Sequence, residues 1–162
     1  MNDLESSIQL KLLREAIGLA TQHSADGQCG PFGAVVARDS EVLGRGFNNV
    51  VKSRDPTAHA EIAAIRQACS QLGTHDLSGC TLYASCEPCP MCLGAAYWAG
   101  IDCIFYAATR DDAASAGFDD EFLYREVALP PSERSRTFVQ ALKDEGRAVL
   151  DAWNRNPDRM PY

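Results

Sequence analysis

With 162 residues, 46% of them apolar and 23% charged, the chain fits one globular domain around a single core, and no biased tract points to disorder. A formal net charge of −7 argues against binding a phosphate backbone, because such binding rests on basic side chains that displace counterions; a small or neutral partner is favoured over nucleic acid. Residues 1–7 are polar and acidic, and no apolar run approaches the roughly 20 residues of a membrane span, so a cytoplasmic address and no membrane partner are expected.

Taken in order, residues 6–20 carry Ile8, Leu12, Leu13, Ala16, Ile17 and Ala20 at helical spacing, which predicts an amphipathic first helix. Gly27, Gly30 and Pro31 break it, and 32–37 then reads as a buried strand. A turn at 38–40 returns a second strand over 41–47, making a hairpin. Asn48 and Asn49 follow, read from composition alone as turn residues. Pro56 and Thr57 open a helix with Thr57 as its N-cap, and Gly73 closes it. A third strand over 80–85 leads through Cys86-Glu87-Pro88 into a helix from Cys89 or Pro90 to Ala99, stopped by Gly100.

Residues 101–108 form a fourth strand. Because a helix separates it from the third, the two should lie parallel, with helices on both faces of a mixed sheet. Residues 110–124 read as loop and short helices broken at Gly117-Phe118-Asp119-Asp120. Pro130-Pro131 punctuates, Ser132 and Glu133 could begin another element, and 141–154 looks helical. No internal repeat and no linker divides the chain.

Chemistry concentrates between Asp55 and Cys92. Seven cysteines, an odd number, fit free thiols and a metal site better than a disulfide framework. A catalytic zinc uses three nitrogen or sulfur ligands and leaves a fourth position for water; His59, Cys89 and Cys92 supply such a set. Cys89 and Cys92 stand three apart at a helix start, where two side chains can share a partner. His59 and Glu61 are two apart and do not face each other on a regular helix, so a common target requires the ion to lie beyond the N-terminal ends of both helices. Glu61 would then shuttle protons while a metal-acidified water attacks a ring carbon that bears an amino group. The competing arrangement is a closed structural site with Cys86 as fourth ligand, which would leave Glu61 without a task. Cys29, Cys69, Cys80 and Cys103 read as small buried apolar residues.

The His-x-Glu and Pro-Cys-x-x-Cys pair resembles the cytidine deaminase superfamily. Within it, Gly30 to Val35, Asn48-Asn49-Val50, Asp55 to Glu61, Ser85 to Ala95, Tyr97-Trp98-Ala99, Gly117 to Asp120 and the final Tyr162 are similar to the bacterial guanine deaminase family. The resemblance implies an α/β fold, specifically a three-layer α/β/α cytidine deaminase-like fold with a mixed central β-sheet, in a single catalytic domain over 1–162. It implies one Zn2+ per subunit on His59, Cys89 and Cys92, Glu61 as the catalytic proton shuttle, and hydrolysis of guanine to xanthine and ammonia. It further implies a homodimer that exchanges the segment 129–162, with Asn48, Asp120 and Tyr162 contacting the purine, Tyr162 from the partner chain, and Phe32 packing on the ring. Guanosine deaminase and tRNA adenosine deaminase share these motifs, although the acidic charge disfavours RNA; a zinc-stabilised dimerisation module without turnover is the non-enzymatic alternative.

Overall fold

The computed structural model describes residues 3–160. The chain divides into two compact units, Met1–Leu123 and Tyr124–Tyr162. In the first, helix α1 (Asp3–Ser24) precedes a hairpin of β1 (Gly33–Arg38) and β2 (Glu41–Phe47). A short helix α2 (Val50–Ser53), helix α3 (Ala60–Leu72), strand β3 (Thr81–Cys86), helix α4 (Pro90–Trp98) and strand β4 (Cys103–Ala108) follow, then α5 (Arg110–Ser115). The strands form one sheet in the order β2-β1-β3-β4. β1 is antiparallel to β2 and β3, while β3 and β4 run parallel, which makes the sheet mixed as the spacing of elements requires.

The central strand shows why the sheet is covered on both sides. Side chains alternate faces along a strand, and in β1 Ala34 and Val36 enter one apolar cluster while Val35 and Ala37 enter the other. The first cluster packs Leu82 of β3 against Ala64, Ile65 and Ala68 of α3 and Ala96 of α4. The second packs Tyr83 of β3 against Leu12 and Ala16 of α1. Tyr83 also stacks on Phe105 of β4 at 5.4 Å between ring centroids.

The seam between β2 and α3 is closer than ordinary side chains permit. Gly44 and Gly46 share one face of β2, and a Cβ on them would come within 2.1 Å of the Ala64 carbonyl oxygen and 2.0 Å of the Ala60 carbonyl oxygen. The helix backbone therefore rests directly on the strand, and its first turn is fixed in height above the sheet. Residue Gly73, at φ 67°, closes α3 with its N–H on the Cys69 carbonyl, the left-handed stop that glycine accepts at least cost.

Two sequence expectations need correction here. Thr57 does not cap α3: its N–H and hydroxyl both donate to Asp55 Oδ1, at 2.8 and 2.7 Å, a local turn that delays the helix until Ala60, with His59 at the N-cap. Cys103 is exposed and Cys69 half-buried, whereas Cys29 and Cys80 are buried as expected. Helix α2 had no signal, since four residues carry no periodicity.

Helix α6 (Glu121–Ala128) crosses the boundary between the units. In the second unit a 3-10 turn (Pro131–Glu133) and α7 (Lys143–Arg155) follow. Ser135 N–H donates to the Glu126 carboxylate at 2.9 Å, and the Arg134 guanidinium lies over the Phe138 ring at 4.9 Å. Val149, Leu150 and Trp153 of α7 are exposed. No helix among the described residues is long and apolar enough to cross a membrane.

The β2–α3 seam yields a direct test. Gly46→Ala is expected to destabilise the protein by about 3 kcal/mol, the upper end of ordinary overpacking costs, and urea unfolding of the two proteins side by side measures it. An unchanged midpoint would show that the helix lifts from the strand without penalty.

Candidate active site

Both helix starts that carry the motif residues end in extended backbone. His59, the N-cap of α3, has φ −72° and ψ 156°, and Cys89, the N-cap of α4, has φ −65° and ψ 168°. Neither uses its side chain to cap the helix, so the imidazole and the thiol are free to reach beyond the helix ends. This resolves the spacing of His59 and Glu61. His59 is outside the regular helix and Glu61 is in its first turn, so two residues that would diverge on a continuous helix converge on one point.

His59 Nδ1 lies 3.6 Å from Cys89 Sγ and 3.5 Å from Cys92 Sγ, and the three ligand atoms all fall within 4.8 Å of one another. A tetrahedral zinc with Zn–N near 2.1 Å and Zn–S near 2.3 Å spaces its nitrogen and sulfur ligands by roughly 3.6 Å. The cluster therefore fits the ion with no rearrangement of the backbone. Cys86 is not in it: its thiol contacts the Thr109 carbonyl at 3.5 Å, and among the described residues the metal-binding group consists of His59, Cys89 and Cys92. The fourth-ligand alternative thus has no geometric support.

The electrostatics suit a cation. The hydrogen bond from Cys92, and then that from His59, pulls the Cys89 thiol down to about 4. The same contact with Cys89, together with burial, pushes Cys92 up, and the hydrogen bond to Cys89 raises His59. A divalent ion takes both sulfurs as thiolates, so its binding releases thiol protons. The N-terminal ends of α3 and α4 add positive potential at the same spot.

These groups border a cavity of about 360 Å³, within the size range of small-molecule sites. His59, Glu61, Cys89, Asn48, Phe32 and Asp120 all line it, while Cys92 sits fully buried behind them. Tyr162 lies outside the described residues. Glu61 is 8% exposed, and its burial, with the Cys89 charge second, pushes the carboxyl above its ordinary range. Asp120 is likewise raised, by burial first and by Cys89 next.

The structure adds wall residues that periodicity did not single out. Phe118 meets Phe32 edge-on, with centroids 4.9 Å apart and planes at 84°, so two aromatic rings form an apolar part of the wall. Glu87 also lines the cavity and accepts from the Arg110 N–H at 3.1 Å, tying the α4 approach to the start of α5. The signal for Phe118 was present beside Asp120 in the Gly-Phe-Asp-Asp stretch, but a lone loop aromatic has no periodic partner to mark it.

Residues 6–108 match the cytidine and deoxycytidylate deaminase zinc-binding region. The chain belongs to this deaminase family. It is 49% identical to guanine deaminase of Bacillus subtilis over 93% of this chain and 96% of that one. The X-ray structure of a Bacillus subtilis guanine deaminase superposes with a TM-score of 0.91 at 46% identity, covering 100% of this chain and 99% of the other. A tRNA-specific adenosine deaminase of Haemophilus influenzae is 32% identical over 88% of this chain and 89% of its own length. Membership makes this a zinc deaminase with the three-layer α/β/α fold, as its motifs implied.

A metal assay separates ligand from neighbour. Cys92→Ser is expected to lose zinc on dialysis, while Cys86→Ser retains it, as atomic emission on the purified proteins reads. Zinc loss from the Cys86 variant would return that thiol to the ligand set.

Proposed function

We propose that the protein hydrolyses guanine to xanthine and ammonia. The observation that carries this reading is the placement of the buried Glu61 carboxyl beside the His59, Cys89 and Cys92 cluster, in a cavity whose walls include Asn48, Asp120, Phe32 and Phe118. The likeness to the Bacillus subtilis enzyme over nearly the full length of both chains supports guanine as the base.

In this reading His59, Cys89 and Cys92 hold the zinc. When bound, the ion polarises a water and brings its acidity toward neutral pH. The remaining work belongs to the chain. Glu61 takes a first proton from the attacking water and passes it to the ring nitrogen, then takes the second from the hydroxyl now on the ring carbon and passes it to the amine, so that the C–N bond breaks, ammonia leaves and the carbon keeps the oxygen as a carbonyl. Burial keeps this carboxyl more basic than in water, which suits a group that must both accept and donate. Asp120 accepts from the ring N–H or amino donors, and Asn48 binds the opposite edge. Phe32 packs against the purine face, with Phe118 supporting it edge-on.

The wider assignments are part of the same proposal. The protein works in the cytoplasm on a small purine, with no nucleic acid and no membrane partner, as a homodimer. The exposed Tyr97 and Trp98 of α4, each 78% accessible, and Tyr106 of β4 support a surface that a second copy covers. The full chain, 1–162, acts as one catalytic domain whose segment 129–162 is exchanged, so that Tyr162 of the partner subunit reaches the purine.

Two measurements test this. Ammonia release from guanine, guanosine, adenine and cytosine in parallel should show guanine consumed far faster than the others; inert guanine beside a consumed alternative would reject the substrate. Glu61→Gln should keep its zinc and lose guanine turnover by at least about a thousandfold, and a variant with near-normal rate would remove Glu61 from the mechanism.

A further inference from the structure

We infer that Gly30 is a positioning residue that fixes which end of the Asn48 carboxamide faces the substrate. Asn48 is 8% exposed and lines the cavity, as does Gly30. The Asn48 Oδ1 atom lies 3.4 Å from the Gly30 backbone nitrogen and 3.4 Å from that of Val50, and both N–H groups donate to it. A carboxamide carries an acceptor on one branch and two donors on the other. Turning it over would set its NH2 against two N–H donors, so the observed orientation is held from both sides. Nδ2 donates to no protein group among the described residues, which leaves it for the substrate.

The close approach depends on Gly30 having no side chain. A Cβ there would stand 3.1 Å from Asn48 Cγ, 3.2 Å from Oδ1 and 3.3 Å from Phe32 Cδ2. One missing methyl thus touches the polar wall and the apolar wall at once. The loop is tied to the segment it orients: Asn48 N–H donates to the Phe32 carbonyl at 3.0 Å and Phe32 N–H to the Gly30 carbonyl at 2.8 Å. Such support keeps a recognition group within the small tolerance that binding needs.

The chemical consequence, resting on the guanine reading of this site, is that Asn48 acts as a donor only. It reads an acceptor edge, which in guanine is N7 with O6, and it gives no welcome to a group that donates there. Gly30 therefore contributes to the choice of base without touching it.

The test pairs guanine with 7-deazaguanine, in which a C–H replaces the N7 acceptor. Wild type should discriminate strongly against the deaza base. Gly30→Ala should raise KM for guanine about tenfold with kcat within about twofold, leave 7-deazaguanine nearly unchanged, and so shrink the discrimination. Parallel loss on both bases, or no change on guanine, would overturn the inference in favour of a purely structural glycine. Zinc content and a thermal melt show whether the variant folds. If it does not, Asn48→Asp serves: one oxygen keeps the two backbone donors and the other turns the cavity-facing donor into an acceptor, so guanine kcat/KM should fall at least a hundredfold with zinc retained. Near-normal guanine turnover in that variant would refute the fixed orientation. Crystals of wild type and Gly30→Ala read the amide angle without any substrate, so a wild type inert toward guanine would sink the substrate assignment while this comparison still decides the role of Gly30; an unmoved amide would refute it.

Discussion

The convergence of two helix N-termini on one point is the constraint on which the rest of the site depends. Three ligand atoms within 4.8 Å come from segments 30 residues apart, and neither helix could supply them alone. Extended backbone at both N-caps turns the imidazole and the first thiol outward along the helix axes, and Cys92 in the first turn of α4 closes the set. The unsatisfied N–H groups of two helix ends then favour the anionic sulfurs. Metal affinity and helix geometry are here one arrangement, since an ordinary polar cap at either position would occupy the space that the ion requires.

Around that point the cavity carries several acids, and burial together with the Cys89 charge raises both Glu61 and Asp120. A bound divalent ion is the largest local charge in such a site and reverses this logic. The same carboxyls that are costly to ionise beside a thiolate become favourable beside a cation. Charge in the cavity and occupation of the ligand cluster are therefore linked, and the acid/base behaviour of Glu61 belongs to the pair.

Legibility in the sequence followed distance along the chain. His59, Glu61, Cys89 and Cys92 stand in two short motifs with spacings tied to zinc chemistry, and the strands of the sheet announced themselves by runs of apolar residues and by the turns between them. Thr57 misled because a threonine before an apolar run signals an N-cap, and only the side chain of Asp55 decides that it bonds backwards instead. Cys86 looked equivalent to its neighbours at regular spacing, but it ends β3, and its thiol turns to Thr109 across the sheet. Asn48 read as a turn residue from composition; its Oδ1 accepts from Val50 N–H two residues on and from Gly30 N–H 18 residues earlier, and no local pattern carries the second contact.

The glycine seam of β2 ties the metal-binding cluster to the sheet. With Gly44 and Gly46 seating α3 backbone against backbone, the height of His59 is inherited from the sheet. Other residues that line the cavity sit elsewhere, at 30–32, 48–51 and 117–123. The cavity wall can therefore change in these segments while the metal-binding cluster stays constant. That separation gives a physical reason why one zinc scaffold serves proteins named for a free base and for an adenosine in tRNA.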